Sequence, residues 1–278
     1  MFQVTMGLFS RNYNRPGPGV RKDEPRKKGF ARFFELIGRD FGDLVKLNVM
    51  FSICAFPTFA VFLLGVFGYF PGIAFLFSLL LAFPVGGALV AYVYYISKMM
   101  RDDPSYVWFE FKRKFAENYK QAAPAGMLCT AFVYAQIMLW GSLLVGEPEG
   151  DIVWLLIALL SLLIFGMITP YIFMHFAYVD LKTFKVIKNS VLLSFGYLPR
   201  SFMGATLGGL MWMAFALYFP ISVITVPLII LFGVSVSMVL CLMWVWPPFN
   251  KHFNIEETLI NRLEGRPEEE QPESDESE

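Results

Sequence analysis

The sequence predicts an all-α integral membrane protein: six transmembrane helices arranged as three hairpins, with amphipathic interfacial helices on the cytoplasmic side. Three observations predict it. Apolar residues make up 56% of the 278 residues and charged residues 17%, against roughly 45–50% and about 25% in a typical soluble domain. Four stretches contain no Asp, Glu, Lys or Arg: Leu47–Ser97, Gln121–Gly146, Ile152–Val179 and Ser201–Asn250. A membrane helix takes about 20 apolar residues, so the two long stretches each hold a pair of spans and the two shorter ones hold one each. Finally, the 23 Lys and Arg fall in alternate connections: ten before Leu47, six in 98–120, four in 180–200 and three after Asn250. The intervening loops have none. By the positive-inside rule both termini then lie in the cytoplasm.

Taken in order, residues 1–29 read as a flexible basic cytoplasmic arm. Its apolar start, Met1–Phe9, is followed rather than preceded by basic residues, the reverse of a secretory signal. Pro16, Pro18 and Pro25 stand among glycines and cations in a linker-like run. Residues 30–260 form the six-helix membrane domain. It opens on an amphipathic segment in which Phe33, Ile37, Phe41 and Leu44 share a helical stripe, while Arg32, Glu35, Arg39 and Asp43 fall away from it. Spans one and two follow. A second amphipathic segment takes Asp103 as its N-cap and Pro104 as its first helical residue, with Trp108, Phe111, Phe115 and Tyr119 along one face, and leads into span three. The third begins after Asp180, with Leu181, Phe184, Ile187 and Val191 as its stripe and Lys182, Lys185 and Lys188 beside it. Each segment is expected to lie in the interface, apolar face down, with its cations toward anionic headgroups. Burial of the Trp108 stripe anchors the second. Residues 261–278 read as a disordered acidic cytoplasmic tail, with eight Asp/Glu from Glu264 onward.

Spacing hints at repetition. Phe41, Tyr119 and Tyr197 stand 78 residues apart, each just before a new apolar stretch. A hairpin used three times in parallel orientation explains this, unlike the inverted repeats common in secondary transporters; coincidence is the alternative. Small residues sit at packing separations: Ala82 and Gly86, Gly87 and Ala91, Gly204 and Gly208. Pro57, Pro84, Pro170 and Pro227 each free a backbone carbonyl, as a tolerated kink or as a broken-helix binding site.

Chemistry-bearing residues are sparse. Ionisable carboxylates and cations inside spans mark ion pathways and proton relays, and these spans have none, which argues against a proton- or sodium-coupled pump. Asn48, Gln136 and His175 are the strongly polar groups at membrane depth besides hydroxyls, and helix-to-helix hydrogen bonding is their expected role. Asn48 and Gln136, with Ser161, Thr169 and Thr206, would also be the material of a conducting path, so a self-sufficient small-solute transporter or channel is the alternative function. Cys54, Cys129 and Cys241 are far apart and show neither disulfide nor metal spacing, and His252 has no ligand cluster around it. No His-Glu-x-x-His, Gly-x-Ser-x-Gly, Walker loop or Gly-x-Gly-x-x-Gly is present. No catalytic, cofactor-binding or metal-ligating residue is assigned, and neither enzyme activity nor a nucleic-acid partner is expected.

Several motifs nevertheless form a recognisable set. Lys46-Leu47-Asn48 opens a span containing Pro57; Pro84-Val85-Gly86-Gly87-Ala88-Leu89 follows; then come Tyr106-Val107-Trp108-Phe109-Glu110-Phe111 and Phe115-Ala116-Glu117-Asn118-Tyr119-Lys120-Gln121. Pro170 through Asp180-Leu181, then Ile187-Lys188-Asn189-Ser190 and Leu198-Pro199-Arg200, complete it. Over roughly residues 30 to 260 the chain resembles the bacterial YesL family of polytopic membrane proteins. The long basic arm and the acidic tail depart from that pattern. The resemblance implies a multi-pass protein of the bacterial plasma membrane with no established activity and no functional residues to carry over. Members often stand beside carbohydrate importers of the ATP-binding cassette (ABC) type, so it also implies a non-enzymatic accessory whose partner is an ABC sugar-transporter permease. The sequence places two docking surfaces for such a partner: the Phe111, Phe115 and Tyr119 stripe, and the Gly204/Gly208 face. Internal packing is the other account of both.

Overall fold

The computed structural model describes residues 27, 29–68, 71–103, 105–145, 151–179, 181–217, 231 and 233–263. Nearly all of the basic arm, the acidic tail from residue 264, residues 69–70, 146–150 and 218–230, and the expected roles of Pro104, Asp180 and Pro227 lie outside the described residues. Among those described there is no strand, and the elements are all helical.

Helix α1 (Phe30–Phe67) joins the first amphipathic segment to the first apolar stretch, with a kink at Asp40 (φ −108°, ψ 20°) marking the join. Helices α2 (Pro71–Leu81) and α3 (Phe83–Met100) meet at Ala82 with a 48° bend. Pro84 explains it, because proline has no N–H to offer the preceding turn and its ring crowds that turn's carbonyl. Pro57 and Pro170, by contrast, lie inside continuous helices. Helix α4 (Val107–Val145) runs 39 residues, about 58 Å at 1.5 Å per residue and thus far longer than a hydrocarbon core of about 30 Å. The second amphipathic segment is therefore collinear with span three instead of lying apart from it. It also starts at Val107, because Asp103 serves the end of α3: its N–H bonds the Lys98 carbonyl (3.1 Å) while Asp102 N–H bonds that of Met99 (3.1 Å). This is a Schellman closure, with Asp102 at φ 61° in the left-handed position that Asp tolerates.

Helix α5 (Asp151–Tyr178) is followed by α6 (Thr183–Gly196), and a break at Tyr197 before Pro199 starts α7 (Leu198–Leu217). Helix α8 (Val234–Phe253) ends at Asn254, which is left-handed (φ 48°), and α9 (Ile255–Leu263) follows. Helices α1, α4 and α5 are each long and apolar enough to cross a membrane, and the bent α2–α3 pair makes a fourth candidate span. The chain thus has the character of a membrane protein.

Helix α3 is the centre of the bundle, buried from Val85 to Met99 apart from Tyr94 and packed against α1, α4, α5 and α8. Its glycines make that possible. A Cβ on Gly86 would stand 2.0 Å from the Ala122 carbonyl oxygen, and one on Gly126 would stand 2.2 Å from the Gly86 nitrogen. The α3 and α4 backbones touch there. Gly204 and Gly208 play the same part between α7 and α8, where an added Cβ would stand 3.0 and 3.3 Å from the Cys241 and Ser237 carbonyl oxygens. These small-residue faces are filled from within the chain, so Gly204/Gly208 does not stand open for a partner.

Candidate functional site

Most of the ionic and aromatic contacts gather at one end of the bundle, which we call the charged end. Its deepest layer is a buried polar node joining three helices. The Tyr92 hydroxyl on α3 donates to Asn48 Oδ1 on α1 (2.8 Å) and stands 2.6 Å from the Ser235 hydroxyl on α8; the Ser235 N–H also donates to Asn48 Oδ1 (3.2 Å). All three residues are inaccessible to solvent, so each satisfies the others where no water could.

Closer to that end lies an aromatic clamp. The Arg101 guanidinium stands 5.5 Å from the Tyr178 ring and 5.1 Å from the Trp246 ring and donates to the Tyr178 hydroxyl (2.8 Å). Such cation–π placement links the end of α3 to α5 and α8. Ser97 hydrogen-bonds the Tyr178 hydroxyl as well, and the Trp246 indole N–H donates to Glu256 on α9 (3.1 Å). Outside it, Lys98 pairs with Glu110 (3.1 Å) and Asp103 (3.3 Å), while Arg113 also reaches Glu110. From α1, Arg32 donates to both Asp102 oxygens (2.7 Å each) and to the Met100 carbonyl (3.2 Å), and Arg39 to Asp102 (2.5 Å) and the Met99 carbonyl (3.2 Å). Partial burial pushes the Asp102 pKa up, but the two guanidinium groups outweigh it and hold the carboxyl below its ordinary value.

The polar groups expected at membrane depth do not come together. Asn48 belongs to the Tyr92 node. Gln136 on α4 donates to Ser161 on α5 (2.8 Å). His175 on α5 is fully buried, with Nδ1 3.0 Å from the Ser190 hydroxyl on α6 and its ring against the Phe249 and Phe253 rings. Thr169 meets Cys129, and Thr206 is half-buried on α7. Three separate helix junctions result, with no shared lumen among the described residues. Nor do three His, Cys, Asp or Glu side chains converge among them.

The amphipathic stripes are turned from their expected facing. Phe33 and Leu44 are buried, but Phe41 is half exposed and Leu36, off the expected stripe, is buried. On α4, Phe111 packs inward and stacks in line with Phe115 and Tyr119 at 6.3 and 6.0 Å. Phe115 and Tyr119 cover Gly87, so this stripe too is spent on internal packing. Trp108 of the same stripe is 68% exposed on the protein surface, a facing compatible with the expected burial in the interface. The aromatic side chains that face outward are Phe30 and Phe34 at the first segment, Tyr106, Phe109 and the stripe residue Trp108 at the second, and the stripe residue Phe184 at the third. The surplus of aromatics in these segments was visible in the sequence, but helical period alone could not say which of two apolar faces turns inward. The Arg101 clamp was not visible at all, because its members are 77 and 145 residues apart.

No protein-family model, no curated protein and no solved structure matches the chain.

Proposed function

We propose that the chain is a YesL-like multi-pass protein of the bacterial plasma membrane, with six spans in three hairpins and its charged end and both termini in the cytoplasm. It works by binding another membrane protein, the permease of a carbohydrate ABC importer, and not by chemistry of its own. The family reading rests on the motifs between Lys46 and Arg200; helices α7 and α8, 20 residues each and packed together, supply spans five and six.

The observation that carries the partner reading is the outward aromatic set. Phe34 at 70%, Tyr106 at 86% and Phe184 at 80% exposure stand on three different segments at the end that also carries the ionic contacts. Aromatic residues at that level suit both the headgroup region and an interface core. Cross-linking in native membranes followed by mass spectrometry tests it. Recovery of an importer permease through the Phe34, Tyr106 and Phe184 surface supports the reading. Failure to recover any transport subunit above background, with sugar uptake unchanged when the gene is deleted, overturns it. Topology has its own test: an impermeant thiol reagent should leave Gly17→Cys and Ser274→Cys unlabelled in intact cells, and labelling of either sinks the orientation.

A further inference from the structure

A groove of about 260 Å³ runs between the first turn of α1, the first turn of α7 and the charged-end half of α8. Phe30, Phe33, Leu240, Met243 and Trp244 give it an apolar floor, and Arg200 stands at its edge. Among the described residues no carboxylate lines it. Its volume is below the roughly 300–1,000 Å³ of a small-molecule cleft, and exposed Phe30 and Arg200 leave it open along one side. That shape suits one narrow chain and not a folded partner.

The charge pattern around it identifies the chemistry. Arg32, Arg39, Lys98 and Arg113 are each committed to carboxylates. Arg200 has no carboxylate partner among the described residues, and neither have Lys182, just before α6, or Lys185 and Lys188 on it. An unneutralised guanidinium beside an apolar trough, at the level where the aromatic side chains gather, matches a molecule with an anionic head and a hydrocarbon tail. Trp244, lining the same trough, has the amphipathic ring favoured at that depth. We propose that this groove seats one anionic phospholipid, its phosphate at the Arg200 guanidinium and part of an acyl chain along Phe33, Leu240 and Met243. Free phosphate would use only the exposed guanidinium, whereas the lipid also buries the trough. The inference rests on this end lying at a bilayer interface and is independent of any importer partner.

The test uses the full chain, purified in detergent and supplied with an equal mixture of phosphatidylcholine and phosphatidylglycerol, with retained lipid read by native mass spectrometry. The wild-type protein should hold one phosphatidylglycerol in preference to phosphatidylcholine. Arg200→Gln, at an exposed position without an ion pair, should lose that preference by about fivefold, the size expected for one interfacial cation. Met243→Trp, which fills the trough, should lower retention of both lipids. A photoreactive residue at position 243 in native membranes should gain the mass of a phospholipid. Retention unchanged in both variants overturns the proposal. So does a preference for phosphatidylglycerol that survives Arg200→Gln, or a photo-adduct with residues 264–278 or with a second copy of the chain.

Discussion

Replacing Gly86 by alanine should force α3 away from α4. The added Cβ would lie 2.0 Å from the Ala122 carbonyl oxygen and 2.6 Å from its carbon, where a carbon-to-oxygen contact needs about 3.3 Å. The helices must therefore separate by roughly 1.3 Å. A gap of even 0.5–1 Å forfeits about a quarter to a half of each dispersion contact across it, and the contacts here include buried Val85, Ala122, Ala125 and Cys129. Overpacking costs about 1–3 kcal/mol where side chains can yield; with backbone on both sides, we expect about 3 kcal/mol. Gly38→Ala is the matched control, since nothing lies within 4 Å of its added Cβ and alanine gains roughly 0.5–1 kcal/mol over glycine inside a helix. Denaturant titration in mild detergent, followed by size exclusion of the folded fraction, should move the two variants in opposite directions. A Gly86→Ala protein as stable as wild type would refute a backbone contact at this crossing.

Asn48→Leu should destabilise the bundle more than Tyr92→Phe, because it strips the acceptor from both the Tyr92 hydroxyl and the Ser235 N–H; the same titration should give roughly 1 kcal/mol for the tyrosine variant. Asp102 supplies a pH signature: with its folded pKa below the unfolded one, its stabilisation is complete above about pH 4 and disappears as pH falls through the folded value. Asp102→Asn should thus lower the melting temperature at neutral pH, and the difference from wild type should close in acid. A protein retaining only Trp108 of its tryptophans should be quenched by lipids brominated near the headgroup, whereas efficient quenching by aqueous iodide would place that ring outside the membrane interface.

The charge-free stretches make apolar helices legible in the sequence, and the small residues at 86, 87, 204 and 208 do mark close packing. Other features depend on context that sequence does not hold. Whether an amphipathic segment continues into its span is decided three ways, by a kink at Asp40, an unbroken run through Tyr119 and a break at Tyr197, although all three sit at the same spacing. The centrality of α3 is likewise hidden, since α5 is more uniformly apolar yet leaves Ile152–Ile157 exposed on every side. The Asn48 and His175 hydrogen bonds were expected in kind, but the Asn48 partners Tyr92 and Ser235 lie 44 and 187 residues along the chain, and only the fold selects them.

The length of α4 has a mechanical meaning. Gly126, where its backbone rests on α3, is 19 residues from Val107 and 19 from Val145, so the crossing divides the helix into two arms of about 28 Å. Pro124 beside it removes one hydrogen bond from the shaft at that point. The arm toward Val107 lies along α3, with Phe115 and Tyr119 on Gly87 and Glu110 on Lys98, and the arm toward Val145 packs on α1 and α5 through Tyr134 against Phe62 and Phe132 against Phe165. One helix thereby ties the charged end of the bundle to its opposite end, as a shared wall and not as a separate element at each.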